Sequence, residues 1–193
     1  MEIKKALEYG DNIREKITEL YVEELYDIGL KFFSNNKEKL KKVFLNMIAP
    51  EYFYVVIIDN ELAGMAACLD KGHLCINANF KSFVIHLGLF KGLIANLEFK
   101  DYNEKYGKYI DDKTARIENV ATNSKYKRKG IASAIIKHIF SLSEYKHYFL
   151  EVADTNMNAL KLYEKLGFKE VYRKKVMPGS GINYLIYMKY SKE

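Results

Sequence analysis

The segment Lys-Tyr-Lys-Arg-Lys-Gly at residues 125–130 places four cationic side chains directly before a predicted helix. Isoleucines follow at 131, 135 and 139, a spacing that forms one apolar helix face. Cations are unfavourable at the start of a helix, because the macrodipole is positive there and the first N–H groups lack partners. A bound phosphate would reverse this effect, and a glycine would let it approach the backbone closely. The segment indicates either a phosphate-binding turn or a solvated basic turn at the surface.

A second patterned run lies about thirty residues further along the chain. It has the form N-x2-A-x2-L-Y-x3-G-F and consists of Asn156, Ala159, Leu162, Tyr163, Gly167 and Phe168. Its apolar members have helical spacing, and the glycine follows the last of them, where a helix C-terminus commonly places one. We therefore predict a helix that begins near Asn156 and ends with Gly167 at the C′ position. Asn156 itself is suited to be the N-cap.

The other elements predict an α/β layered fold with a mixed, mostly antiparallel central sheet flanked by helices. Strand-like segments are β-branched or aromatic, whereas helical segments repeat their apolar residues every three or four positions. The predicted order is a short strand at 2–8, helices from Asp11 and from Lys37 to Met47, a hairpin at 52–59 and 62–70, a helical region at 80–105, a strand at 115–123, a helix from 131, a strand at 147–153, the helix ending at Gly167, and a strand pair at 170–177 and 183–190.

Composition limits the classes of protein that remain. The chain has 193 residues, 49% of them hydrophobic, and no linker-like stretch, so we expect a single domain over residues 1–193. The formal net charge of +6 permits an anionic ligand but is too dispersed to indicate nucleic acid. No apolar run reaches membrane-spanning length, so no membrane partner is expected. Cys68 and Cys75 do not form a metal-binding pattern, which predicts no metal and a reduced, cytoplasmic setting.

The basic turn and the second patterned run together resemble the GNAT superfamily of N-acetyltransferases. Proteins of that family follow a strand with a loop of the form (R/Q)-x-x-G-x-(G/A), which wraps the pyrophosphate of acetyl-coenzyme A. The matching residues here are Lys127, Gly130 and Ala132, and the lysine departs from the usual Arg or Gln. The later run matches the family at every named position. The resemblance covers roughly residues 115–190 and implies the GNAT-like acyl-CoA N-acyltransferase fold.

The resemblance also implies a set of cofactor contacts. The pyrophosphate would be held by the loop and the first turn of the next helix, which are Lys127, Arg128, Lys129, Gly130, Ile131, Ala132 and Ser133. The backbone at the end of the preceding strand, Val120, Ala121 and Thr122, would bind the pantetheine arm and polarise the acetyl carbonyl. Asn156 would contact the same arm or act only as the helix N-cap.

Two side chains are candidates for proton transfer in such a reaction. The resemblance places the phenol of Tyr163 near the coenzyme sulfur, where it would act as the general acid; the alternative is a core aromatic. Glu118 in the preceding strand is the candidate base. The alternatives are that Glu118 faces solvent or that it pairs with Arg116 or a lysine. Asn119 is predicted to point to the opposite face of the strand, and in these alternatives it would line the cleft instead.

The predicted function is therefore the transfer of an acetyl group from acetyl-coenzyme A to a primary amine of a small molecule or peptide. The alternatives are a non-catalytic module of the same fold that senses acyl-coenzyme A, and a nucleic-acid binder that uses residues 125–129. The sequence does not identify the acceptor, although an acidic cleft would favour a polycationic one. Residues 80–110 are expected to shape the acceptor pocket or a dimer contact, so a homodimer is possible.

Overall fold

The structure is a computed structural model that describes residues 1–10, 12–105, 110–142, 145–176 and 181–192. Within these ranges seven strands form one sheet in the order β1-β2-β3-β4-β5-β7-β6. All neighbouring strands are antiparallel except the pair β4 and β5. The strands are β1 Lys4–Lys5, β2 Phe53–Ile58, β3 Glu61–Leu69, β4 Thr114–Thr122, β5 His147–Ala153, β6 Lys169–Lys175 and β7 Tyr184–Ser191. The predicted mixed, mostly antiparallel sheet is confirmed.

The helices flank this sheet. They are α1 Ile13–Leu25, α2 Lys31–Phe33, α3 Lys37–Phe44, α4 Phe80–Leu87, α5 Leu89–Lys105, α6 Ile131–Leu142 and α7 Met157–Lys165. A π-helical turn, Tyr26–Leu30, joins α1 to α2. The predicted first strand is shorter than expected, because Ala6–Tyr9 form a 3₁₀ turn. The predicted helix start at Asp11 lies outside the described residues.

Two glycines shape the helical region at 80–105. Gly88 has a φ of 84°, a left-handed conformation that ends α4 and separates it from α5. Gly92 allows the two helices to approach closely, because a Cβ there would lie 2.9 Å from the backbone nitrogen of Val84. The region is therefore a helical hairpin rather than one helix.

The sheet separates two hydrophobic cores. Alternate side chains of β3 point to opposite faces, so Met65 and Ala67 join one core while Ala66 and Cys68 belong to or pack against the other. The first core lies against α1, α3, α4 and α5, and the second lies against α6 and α7. None of the helices within the described ranges is both long and apolar enough to cross a membrane.

The parallel pair β4 and β5 opens partway along its length. Its pairing runs from Thr114 opposite His147 to Arg116 opposite Phe149 and then stops, although both strands continue. Asn119 has a φ of 50°, and the register between β3 and β4 shifts at the same place. Such a bulge bends a strand and increases its twist, so the carboxyl half of β4 diverges from β5. The gap between them leads into a cavity.

Candidate active site

A cavity of about 600 Å³ lies at the opening between β4 and β5. Its walls include Glu24 and Leu25 from α1 on one face of the sheet and Tyr163 from α7 on the other. The cavity therefore connects the two faces through the gap in the sheet. Two ligands that enter from opposite faces would meet there. The remaining lining residues are Asp27, Ile28, Arg116, Ile117, Glu118, Asn119, Val120, Glu151, Val152, Ala153, Thr155, Asn156, Gly181, Ile182 and Leu185.

Tyr163 lines this cavity from the middle of α7 while only 6% of its surface is exposed. Its ring packs edge-on against Phe168 with 5.8 Å between the ring centroids. Burial raises the pKa of its hydroxyl to about 12, so the phenol is protonated at neutral pH. The end of the helix is fixed by a Schellman motif: Phe168 N–H donates to the Tyr163 carbonyl, and Gly167, at a φ of 92°, donates to Glu164.

Asn156 is the N-cap of α7 and also borders the cavity. Its Oδ1 accepts a hydrogen bond from the backbone N–H of Ala159 at 3.2 Å. The predicted cap is therefore confirmed. The side-chain amide has two N–H groups besides that oxygen, so the predicted ligand contact is compatible with capping and stays a prediction.

The basic turn before α6 is open to solvent, and its backbone is unusual. Arg128 has a φ of 64° and Gly130 a φ of 78°, two left-handed residues within three positions. The first helical bond runs from the Ala134 N–H to the Gly130 carbonyl, so the amides of residues 131–133 precede the hydrogen-bonded part of the helix. Successive amides in such conformations commonly form a concave anion site.

Two lysines of this turn have protein partners in the structure. Lys127 Nζ pairs with Glu24 of α1 at 3.0 Å, and Lys129 lies over the ring of Tyr126. Residues 127–133 do not line the 600 Å³ cavity, so the structure brings only part of the predicted cofactor set together around it. Ile131 is 2% exposed, which means that it can offer a ligand its backbone but not its side chain.

The predicted ligand contacts at the end of β4 are also backbone groups. Val120 lines the cavity, whereas Ala121 pairs with Met65 and is buried, and Thr122 pairs with Gly64. The Ala121 side chain therefore belongs to the core. A role of this segment in holding a ligand through its main chain stays a prediction.

Glu118 does not face solvent. Its side chain is 7% exposed; Oε1 lies 2.5 Å from Arg116 Nε, and Oε2 accepts the Cys75 thiol at 3.2 Å. The predicted orientation of Asn119 was wrong: it does not point away from Glu118, because its amide donates to the same Cys75 sulfur at 3.1 Å. The positive φ of Asn119 interrupts the strand alternation on which that prediction depended. Asn119 does line the cavity, as the alternative predicted.

A second cavity of about 320 Å³ adjoins the first on the α1 and α5 side of the sheet. The two share Leu25, Glu118, Asn119 and Glu151. Sequence reasoning missed Glu151, whose Oε2 is buried and accepts no hydrogen bond from the described residues. The available signal was a single carboxylate in the otherwise apolar stretch of β5. Glu98 of α5, also missed, lines the second cavity.

Cys75 is buried and Cys68 is half-buried, and both have the properties of structural thiols. Burial raises the pKa of Cys68 to about 12 and that of Cys75 well above its ordinary value. Neither is a thiolate at neutral pH. Within the part of the chain that the structure describes, no group of three His, Cys, Asp or Glu side chains is arranged to hold a metal ion.

Comparisons with known proteins agree on fold and family. The sequence model of the acetyltransferase (GNAT) family matches residues 15–168. An N-acetyltransferase from Staphylococcus aureus Mu50 has a TM-score of 0.65 at 18% identity, covering 98% of this chain and 100% of its own. GNAT-family acetyltransferases from Bacillus cereus and Bacillus anthracis give TM-scores of 0.59 and 0.57 at 12% and 17% identity. These alignments cover 100% and 98% of this chain and 97% and 93% of theirs.

No curated protein sequence matches the chain. The structural neighbours are too distant in sequence to establish more than the fold. The family match, by contrast, covers more than half of the chain and includes the basic turn, the end of β4 and α7 with Tyr163. The chain therefore belongs to the acetyltransferase (GNAT) family.

Proposed function

We propose that this protein transfers an acetyl group from acetyl-coenzyme A to a primary amine of a small molecule or peptide. The observation that carries the proposal is the cavity between β4 and β5, which opens to both faces of the sheet and has the phenol of Tyr163 in its wall. Family membership supports the same reaction class.

The described residues fit acetyl-coenzyme A in three respects. The exposed turn at 127–130 combines cations, two left-handed residues and a helix N-terminus, which suits a pyrophosphate. A Cβ built on Gly130 meets no atom within 4 Å, so the backbone there is accessible. Val120 and Asn156 then provide polar groups along the cavity wall for an amide-containing arm.

Acetyl-coenzyme A supplies a thioester from which the acetyl group passes to nitrogen and the sulfur departs. Tyr163 acts as the general acid that gives this sulfur a proton, because its raised pKa keeps the hydroxyl protonated. The backbone N–H groups at residues 120–122 stabilise charge on the carbonyl oxygen. The acceptor must lose a proton, since only about 1 in 1,000 alkyl amines is neutral at pH 7. We assign that step to Glu118, acting directly or through water.

Two measurements test the proposal in sequence. Thermal unfolding with coenzyme A tests binding: at about 100 times the dissociation constant, the ligand should add about 2.7 kcal/mol of stability. Release of free thiol from acetyl-coenzyme A in the presence of an amine panel then tests turnover. Absence of stabilisation at millimolar coenzyme A would exclude the proposal. Stabilisation without thiol release for any amine would favour the non-catalytic, sensing alternative.

A further inference from the structure

We propose that the acceptor is a linear aliphatic di- or polyamine whose second ammonium group binds in the 320 Å³ cavity, called here the acceptor pocket. The proposal rests on the acetyl-transfer function above and names its substrate class. The acceptor pocket lies on the face of the sheet opposite α7 and Tyr163 and joins the first cavity at the opening of β4 and β5. An amine held there points its other end at that opening.

The first argument is the charge of the walls. The described residues that line the acceptor pocket include three carboxylates, Glu98, Glu118 and Glu151, and no Lys, Arg or His. In the adjoining cavity, Glu24 and Asp27 add two carboxylates, and Arg116 is the one cation among its described lining residues. Both cavities therefore favour a positively charged ligand.

The second argument is the position of Glu118 and Glu151. Arg116 and Phe149 form the last pair of the parallel ladder, and each glutamate lies two residues beyond its member of that pair. Residues two apart in a strand share a face, so both carboxylates flank the opening on the same side. Like charges facing each other across neighbouring strands are unfavourable, and the cation on this face, Arg116, is paired with Glu118 through Nε.

Among the described residues, both oxygens of Glu118 have protein partners, whereas one oxygen of Glu151 has none. Glu118 pairs with Arg116 and accepts the Cys75 thiol, while Oε2 of Glu151 is buried without a hydrogen-bond donor among the described residues. A buried carboxylate oxygen without a partner is costly. Glu24, further out, is paired with Lys127. A ligand ammonium would therefore complete the surroundings of Glu151.

The third argument is the shape and polarity of the remaining wall. Tyr21, Leu25 and Phe99 line the acceptor pocket together with Leu74 and Ile76. Aliphatic and aromatic walls contact the methylene groups of an alkyl chain, and an aromatic face also attracts an ammonium group. A volume of 320 Å³ is at the lower end for small-molecule sites. The pocket thus suits a thin, flexible chain with charged ends.

The experiment compares amines that differ in their second charge. Thiol release from acetyl-coenzyme A is measured with putrescine, spermidine, n-butylamine and a peptide with an N-terminal alanine. We expect kcat/KM for putrescine to exceed that for n-butylamine at least about tenfold, because a charge-assisted contact in a buried site contributes that much. Glu151→Gln should reduce this ratio at least about fivefold. Glu98→Gln should also reduce it, but by a smaller factor.

The matched control is Glu15→Gln, an exposed carboxylate of α1 that lines neither cavity, and it should leave the ratio unchanged. Circular dichroism establishes that each variant folds. If n-butylamine or the alanine peptide is acetylated as efficiently as putrescine, the inference is wrong while acetyl transfer stands. Calorimetry measures spermidine binding independently, in the presence of coenzyme A. If spermidine binds the wild type and binds Glu151→Gln more weakly, but no amine gives thiol release, the pocket is supported and the transfer reaction is excluded.

Discussion

At the scale of single residues, the chemistry depends on groups that are buried but still border the cavity. Tyr163 is 6% exposed, and burial alone raises its pKa to about 12. A phenol in such surroundings keeps its proton through the neutral and moderately alkaline range. At neutral pH it is therefore present as a donor of a proton or hydrogen bond to a departing sulfur and not as a base.

Replacing Tyr163 with Phe tests this role. The ring and its edge-on contact with Phe168 are retained, so the variant should fold and bind coenzyme A normally. We expect kcat to fall about 100-fold, within the range for loss of a general acid, with little change in KM. Steady-state kinetics of thiol release measure both quantities. Full activity of the Phe variant on a good acceptor would show that the acid assignment is wrong.

The pH profile provides a second reading of the same residue. Because the pKa of Tyr163 is about 12, its loss of a proton cannot reduce kcat below about pH 10. The wild-type rate should rise as the acceptor amine becomes neutral and then stay level. A descending limb near pH 8 or 9 that disappears in Tyr163→Phe would contradict the raised pKa.

The two cysteines should be unreactive in the folded protein. Burial raises the pKa of Cys68 to about 12 and that of Cys75 well above its ordinary value, so almost no thiolate exists at pH 8. A disulfide reagent should modify neither thiol over minutes in buffer and both of them in denaturant. Rapid reaction of the native protein would contradict the burial of these groups. Slow reaction also means that the cysteines will not disturb a thiol-release assay.

At the scale of elements, the turn into α6 carries backbone strain that is unusual for a surface loop. Arg128 occupies the left-handed region at a φ of 64°, which costs a residue other than glycine about 1 kcal/mol or more. The following Gly130 adopts the same region without such a cost. A strained arginine beside a helix N-terminus is consistent with a turn arranged for an anion rather than for stability.

The substitution Arg128→Gly separates these two roles. Glycine relieves the strain, so the free energy of unfolding should stay equal or rise by up to about 1 kcal/mol. The lost charge should weaken coenzyme A binding several-fold, an effect that decreases with added salt. Urea unfolding and calorimetry measure the two quantities. The matched control is Asn60→Gly, an exposed and uncharged residue with a φ of 62°, which should not change the affinity. Unchanged affinity in Arg128→Gly would argue against the phosphate-binding turn.

At the scale of the whole molecule, the helical hairpin α4–α5 exposes a large apolar surface. Ile85, Leu89 and Phe90 are 64%, 71% and 77% exposed, and Leu93 and Leu97 are about half exposed. Contiguous apolar surface of this kind marks interaction sites in soluble proteins. The sequence left open whether residues 80–110 shape the acceptor pocket or a dimer contact. Glu98 and Phe99 do line that pocket, while the neighbouring apolar side chains are available for a second copy.

We therefore predict a homodimer that buries this surface. Sedimentation velocity should give a dimer for the wild type at micromolar concentration and a shift to monomer for Phe90→Lys. The matched control is Leu7→Lys, which should remain dimeric. It also adds a charge at an exposed apolar residue, but Leu7 lies far along the chain from the hairpin. A wild-type protein that stays monomeric at high concentration would exclude the dimer.

The sequence also predicts that residues 1–193 form a single domain, and this stays a prediction.

Much of this structure could be predicted because its determinants are local. Strand β5 has the bounds expected from its apolar run, and Gly167 lies at C′ because only residues near a helix end decide how it stops. The N-cap role of Asn156 follows from the same short-range rule. The turn at Gly130 and the run through Tyr163 also indicate the family from the sequence, since their spacing is fixed within each segment.

The acceptor side of the site depended on the tertiary structure. No local pattern shows that β4 and β5 separate after Arg116 and Phe149, that the bulge at Asn119 turns its side chain toward Cys75, or that Glu151 faces the same opening as Glu118. These features arise from the register between strands that are distant in sequence. Local patterns in the sequence are sufficient to predict the order of strands and helices and the two motifs of the family. Which carboxylates border the two cavities depends on the packing of the sheet, because pairing between remote strands sets their positions.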